Sequence, residues 1–312
     1  MSANISESPV AIVTGAGRGL GREHALALAR AGYNVVVNDL GGAGNGIGAD
    51  ATPAQHVVAE IQALGREAVV DGSDVSNWQA AGELIQKAID TFGRLDGLVN
   101  NAGILRDRTI ANMTEEDWDL SIAVNLKGTA APLHHAAAYW RNLSKATGAP
   151  VRGAVVNTTS ASGLYSGTGQ ANYAAAKAGV ASMSLVAARE LERYGVRVNC
   201  IAPVASTRLT ESVMGEVMKA KLNPALVSPL VVYLLSADSA DVTGRVFEMG
   251  GGAFVAVNMP SPAAGMQAID TGWTAERLAQ IAPSLIAQLP EATTPMASMK
   301  FMLATPVDGA AG

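Results

Sequence analysis

The chain has a single cysteine, Cys200, in 312 residues, which excludes any disulfide within it and gives no sign of an oxidising compartment. Set in an apolar run, that cysteine reads as a core residue rather than a nucleophile. Basic clusters are missing as well. With 22 Lys and Arg against 27 Asp and Glu, and a formal charge of −5, there is no broad positive field, so no nucleic-acid partner is expected. No run of about 18 apolar residues is present, so no membrane partner is expected either. The opening stretch MSANISESPV lacks the cationic and apolar regions of a secretory signal. These absences point to a cytoplasmic location, where the Asn-x-Ser/Thr triplets at Asn112 and Asn142 would carry no glycan. The pair His134-His135 has no cysteine or carboxylate partner at ligand spacing, so no metal is expected.

What the chain does have is apolar residues, 49% of the total, enough to bury a full core. Short apolar runs alternate with longer helical segments, the pattern of an α/β protein with a doubly wound parallel sheet of about seven strands and helices on both faces. Strands are predicted at 10–14, 34–38, 68–71, 97–99, 154–158, 197–201 and 245–248, and helices at 19–31, 53–64, 77–92, 115–142, 173–194 and 224–236. Thr52 is the expected cap of the second helix, ahead of Pro53. The catalytic domain is assigned to residues 1–255, and 256–312 form a C-terminal extension packed on the same domain or on a neighbouring subunit. Within the extension a helix is expected at 275–288, kinked or broken at Pro283.

Two glycine-rich stretches compete for a phosphate. The first, TGAGRGLG at 14–21, follows a strand and opens a helix, so Gly15, Gly19 and Gly21 let backbone N–H groups approach a pyrophosphate, with Arg18 and Leu20 in the same loop. The second, VVVNDLGGAGNGIGAD at 35–50, does not run directly into a helix. Its informative residue is Asp39, at the end of the second strand. The glycines behind it read as a flexible insert, 40–52, that turns away from the adenosine and borders its adenine end.

Tyr173 and Lys177 lie four apart in QANYAAAKAGV and project from one helix face. The ammonium is expected to favour the phenolate and lower the tyrosine pKa. Alone, such a pair is more often surface decoration, but Ser160 stands thirteen residues earlier at the end of a strand, where parallel sheets bind ligands. Its hydroxyl can orient an alcohol or carbonyl oxygen beside the phenol. Asn125, in the middle of a helix, suits a polar task such as carrying a water toward Lys177.

TGAGRGLG, Asp74-Val75, the NNAG run with Asn101 and Gly103, Asn125, Ser160, Tyr173 and Lys177 together resemble the short-chain dehydrogenase/reductase family over about residues 8–255. The resemblance implies a Rossmann-like fold and direct hydride transfer between a carbinol carbon and a nicotinamide. Tyr173 is then the acid/base, Ser160 positions the oxygen, Lys177 binds the nicotinamide ribose and Asn125 supports a water-linked proton path. Ala205 and Thr207 would contact the carboxamide, although Val204 stands where family members commonly have glycine. Asp39 would accept the ribose hydroxyls and repel a 2′-phosphate, while Arg18 pulls the other way; the reading is NAD.

NDLGG with its insert, NNAGILRDR, the stretch from Ser160 to Lys177 and the extension beyond 250 resemble more narrowly the (3R)-hydroxyacyl-CoA dehydrogenase units of peroxisomal multifunctional enzymes type 2, also called 17β-hydroxysteroid dehydrogenases type 4. That implies a small-molecule substrate, a CoA thioester or a steroid, and oxidation of a (3R)-hydroxyacyl-CoA in β-oxidation. The alternatives are a steroid or other secondary-alcohol dehydrogenase, a 3-oxoacyl-carrier-protein reductase, and a non-catalytic NAD-binding scaffold. A homodimer or homotetramer is expected from the family.

Overall fold

The structure is a computed structural model and describes residues 5–206, 221–260, 273–289 and 292–304. Seven parallel strands form the sheet: β1 (Val10–Thr14), β2 (Asn34–Asn38), β3 (Ala68–Asp71), β4 (Gly97–Asn100), β5 (Ala154–Thr158), β6 (Arg197–Pro203) and β7 (Val246–Gly250). An eighth, β8 (Ala253–Val257), pairs antiparallel with β7, and the order is β3-β2-β1-β4-β5-β6-β7-β8. The sequence reading stops at seven. Gly251 and Gly252, at φ 58° and 86°, make the two-residue turn into β8, and a strand apolar at every position shows no alternation to mark it.

Every residue of β1, β2 and β5 is buried, as unbroken apolar runs in a sheet covered on both faces require. Successive side chains enter opposite layers. Ala11, Val13, Val35 and Val37 pack with α1 (Gly19–Arg30), α2 (Thr52–Ala63) and α8 (Ser228–Leu235). Val10, Ile12 and Val36 pack with α3 (Trp78–Phe92), α5 (Gly128–Thr147) and α7 (Ala171–Leu191). At roughly 1.5–3 kcal/mol for each large side chain, these two layers supply most of the drive to fold.

Local signals set several helix ends. Asn77 Oδ1 accepts from the Gln79 and Ala80 N–H groups at the start of α3, and Gly93 ends it at φ 77°. Thr114 and Asp117 form a capping box at α4 (Glu115–Ile122). Other expectations need correction. Thr52 is not a cap: α2 begins on it, and Asp50 Oδ1 accepts its N–H at 2.9 Å. The single helix expected over 115–142 is three pieces, α4, a π turn at Ala123–Lys127, and α5, which continues to Thr147. In the extension, α9 (Ala275–Ile286) runs through Pro283, whose carbonyl accepts the Ala287 N–H at 3.0 Å. Two further helices are absent from the sequence reading: the five-residue α6 (Ala161–Tyr165) and α10 (Pro295–Ala304), the latter packed on α6 and β8.

The strand order reverses between β1 and β4, so the loops at their carboxyl ends diverge and leave a cleft. The loops after β2, β5 and β6 reach the same cleft.

Candidate active site

The cleft floor is the turn from β1 into α1. Gly15 and Gly19 hold φ of 63° and 53°, and a Cβ on Gly21 would lie 2.1 Å from the Gly15 carbonyl oxygen. The chain here closes only without side chains. Arg18 stands at the N-cap of α1 and no side chain caps the helix, so its first N–H groups are open to an anion from the cleft. The Thr14 hydroxyl accepts from the Asn101 and Ala102 N–H groups, and the Asn101 amide donates to the Thr14 and Gly15 carbonyls at 3.0 and 3.2 Å. NNAG is therefore the brace that ties β4 to the glycine turn. Asn100 extends the brace inward, donating to Asn157, which donates to Ser184 on α7.

At the end of β2, Asp39 accepts the Gly17 N–H on one oxygen and the Gly41 N–H on the other, each at 2.6 Å. Its carboxylate is held facing the cleft with lone pairs to spare. Arg18 pairs with Asp50 at 3.7 Å. The expected insert, 40–52, borders this side of the cleft. The loop closes on itself through Asp50 N–H to Leu40 carbonyl, and Gly44 accepts the Leu105 N–H at 3.1 Å, so Gly42, Ala43, Gly44 and Gly46 wall the cleft. Asp74 and Val75, after β3, complete that side.

At the other end, Lys177 is 2% exposed, and its Nζ donates to the Thr158 carbonyl at 2.9 Å. Burial lowers its pKa to about 8. Its Nζ lies 5.7 Å from the Tyr173 ring centroid. The tyrosine pKa moves opposite to the expected direction: burial pushes it up to about 12, the hydrogen bond with Ser160 draws it down, and Asp107 raises it. Desolvation of the phenolate outweighs a lysine that is itself desolvated and turned to a carbonyl. Ser160 caps α6, accepting the Ser162 N–H at 3.2 Å.

Asn125 is fully buried but does not line the cleft. Its amide donates to the Ile104 and Ser121 carbonyls, and its oxygen accepts the Ile104 N–H at 3.2 Å. The π turn is what places it there, and a Cβ on Gly103 would sit 2.8 Å from Asn125 Oδ1 and 3.6 Å from Lys177 Nζ. The side chain thus braces the wall beside Lys177. Val204 is accommodated because Gly250 faces it; a Cβ there would lie 2.0 Å from the Val204 carbonyl oxygen. Ala205 lines the cleft, and Thr207 lies outside the described residues.

Among the lining residues that the sequence reading missed are Thr158, Thr159, Ser162 and Gln170, beside the catalytic cluster. Thr159 and Ser162 have a signal, since they flank Ser160. Gln170 accepts from Ser162 at 2.5 Å and donates to Asp107 at 2.8 Å, links with no local signature. Cys200 is buried core, its thiol pushed up to about 11. Among the described residues no group of three or more metal-ligating side chains occurs, and no helix is long and apolar enough to cross a membrane.

A sheet wound in this order, with a glycine-rich turn facing a half-buried tyrosine and a buried lysine across one cleft, defines a dinucleotide-dependent oxidoreductase. The family model for the short chain dehydrogenases matches residues 9–217, and the chain belongs to that family. The crystal structure of a short chain dehydrogenase from Mycobacterium avium is similar at TM-score 0.83 and 50% identity, covering 93% of this chain and 98% of that one. Hydroxyacyl-CoA dehydrogenase ChsB1 of Mycobacterium tuberculosis is 45% identical over 275 residues, 85% of this chain and 84% of that protein. The peroxisomal multifunctional enzyme type 2 of Mus musculus is 43% identical over 243 residues, 78% of this chain and 32% of the mouse protein.

Proposed function

We propose that the protein is an NAD-dependent dehydrogenase that oxidises (3R)-hydroxyacyl-CoA to 3-oxoacyl-CoA. The relative named as a hydroxyacyl-CoA dehydrogenase, matched over most of both chains, is the observation that carries the substrate class. The cleft fits the dinucleotide: the turn at its floor closes only with glycine at 21, leaving the first N–H groups of α1 open, and an acceptor stands at Asp39. When bound, NAD supplies the hydride acceptor. Tyr173 takes the proton of the substrate hydroxyl, Ser160 holds that oxygen, and Lys177 donates to the nicotinamide ribose. Asn125 serves the water-linked proton path by position, holding Ile104 and packing against Gly103 beside the lysine. We read residues 1–255 as the catalytic unit and 256–312 as its extension. A two-fold pairing through α5 and α7 is supported by Leu143 and Val186, which stand 36% and 50% exposed on them.

NAD is favoured over NADP by two features. Asp39 would repel a 2′-phosphate, and Arg18, the cation that could attract one, is answered by Asp50. The expected result is a kcat/KM for NAD about 100-fold above that for NADP, with Asp39→Ser narrowing the gap about tenfold. A wild-type preference for NADP would overturn the cofactor reading.

The substrate reading is tested by following NAD reduction with (3R)- and (3S)-hydroxyacyl-CoAs and with steroid alcohols. The (3R)-thioester is expected to lead by about tenfold or more in kcat/KM. A steroid alcohol that leads by the same margin sinks the reading.

A further inference from the structure

The most unusual group outside the cleft is Glu248, in the middle of β7 and 1% exposed. Its Oε2 accepts from two hydroxyls, Tyr165 at 2.9 Å and Ser298 at 2.6 Å, while its Oε1 has no partner among the described residues. A buried carboxylate left half-satisfied is a poor stabiliser, and an apolar side chain of that size would cost less. What the carboxylate joins accounts for it. Tyr165 is the last residue of α6, whose N-cap is Ser160, and Ser298 belongs to α10 in the C-terminal extension.

A helix of five residues has no stability of its own. Besides its packing on α10 and the Ser162–Gln170 bond, α6 is held at both ends and in the middle. Its N-terminal end is closed by the Ser160 carbonyl, which accepts from Gly163 and Leu164 at 2.9 and 3.1 Å. Its middle lies against α7, where a Cβ on Gly163 would come within 2.7 Å of the Lys177 backbone. Its C-terminal end turns back at Ser166, the only non-glycine residue with positive φ among those described, at 62°. That strained end is tied within the helix by the Ser166 N–H on the Ser162 carbonyl at 3.0 Å, and its side-chain anchor to the sheet is the Tyr165 hydroxyl on Glu248. Burial and the neighbouring carboxylate push Tyr165 up to about 12, so it stays a donor.

We propose that Glu248 is a positioning residue for the reaction: it fixes the far end of α6, and with it Ser160, using the C-terminal helix as its second anchor. Docking of the extension thereby becomes part of the active-site geometry. The inference rests on the proposed function only in giving Ser160 contact with the substrate.

The test uses the full chain with Tyr165→Phe, Ser298→Ala, Glu248→Leu and Glu248→Gln. Amide exchange at Ser162, Gly163, Leu164 and Ser166 is read without any substrate. Tyr165→Phe and Ser298→Ala are expected to speed it about tenfold while leaving α1 unchanged. In the same variants kcat falls about five- to fiftyfold with KM for NAD unchanged, and Glu248→Gln, which keeps an acceptor oxygen, recovers most of the loss seen in Glu248→Leu. Unchanged exchange in α6, exchange raised equally across the sheet, or unchanged kcat over a loosened α6 would each overturn the proposal. A wild-type enzyme inactive on hydroxyacyl-CoAs defeats the substrate reading alone, and the exchange comparison still decides whether Glu248 holds α6.

Discussion

Replacing Tyr173 by Phe is expected to lower kcat by about 10³-fold while leaving dinucleotide affinity within about twofold, because only a proton-transfer group is removed. Phe keeps the ring packing and the 5.7 Å approach of Lys177 Nζ, and Ser160 stays to hold the substrate oxygen. The residual rate is what orientation alone supplies. The pH profile follows from the two shifted groups. The active form for oxidation needs a deprotonated Tyr173, pKa about 12, and a protonated Lys177, pKa about 8. Below pH 8 the lysine is charged and the phenolate fraction grows tenfold per unit, so kcat/KM rises with unit slope. Above it, each gain in phenolate is matched by a loss of ammonium and the profile flattens. Steady-state kinetics of both proteins across pH 6–9 check this, about pH 8 being the bend. A Phe variant that keeps the wild-type slope would remove Tyr173 from the proton path.

Much of the fold is legible because the strands are buried on both faces. A parallel strand of that kind reads as an apolar run, so β1, β2 and β5 lie where the runs are. Elements held only by distant contacts leave no such trace. The helix α6 sits in a serine- and glycine-rich stretch and owes its shape to α7 and to Glu248, 83 residues beyond Tyr165. The π turn at Ala123–Lys127 forms where Asn125 serves the backbone of Ile104, a contact no helical periodicity reveals. The path of the glycine-rich insert is set by a hydrogen bond from Leu105 to Gly44. Its glycines announce a turn but not its direction.

The same division runs through the site. Helical geometry brings Tyr173 and Lys177 to one face, and the strand end delivers Ser160, so the cluster is legible from spacing. The direction of the tyrosine pKa is not. Proximity in sequence suggests a phenolate favoured by its lysine, whereas burial is a property of the assembled cleft and acts on both groups. Desolvation raises Tyr173 to about 12 and lowers Lys177 to about 8, driving the two pKa values apart from 10.0 and 10.5 and reversing their order.

The largest expected effect on stability comes from His24, in the helix that carries the glycine turn. It is fully buried, shares a hydrogen bond with Ser228 Oγ at 2.9 Å, and its Nε2 has no partner among the described residues. Burial lowers its pKa from 6.5 to about 3. The folded-state value is depressed, so between pH 6.5 and about 3 the unfolded chain binds the extra proton. Stability is therefore full above pH 6.5 and is lost as the pH falls, at about 1.4 kcal/mol per unit. Two units of acidification cost about 3 kcal/mol, a large share of the 5–15 typical of a folded domain. The window separates this histidine from the carboxylates. Asp117, held low first by Arg106, contributes stability that is lost only below its unfolded value of 3.8. Urea unfolding of the wild type is expected to show this slope from pH 6.5 to about 4.5, and His24→Gln to be flat there. Equal slopes in the two proteins would refute the assignment. Because His24 joins α1 to α8, the helix pair that must open for it to take up a proton is the one beneath the glycine turn, and the NAD affinity of the folded protein, in which His24 stays neutral, should hold constant across the same window. Dinucleotide bound to the folded state alone opposes that opening by mass action, so saturating NAD should shift the acid midpoint downward in the wild type and leave the flat profile of His24→Gln unchanged in shape.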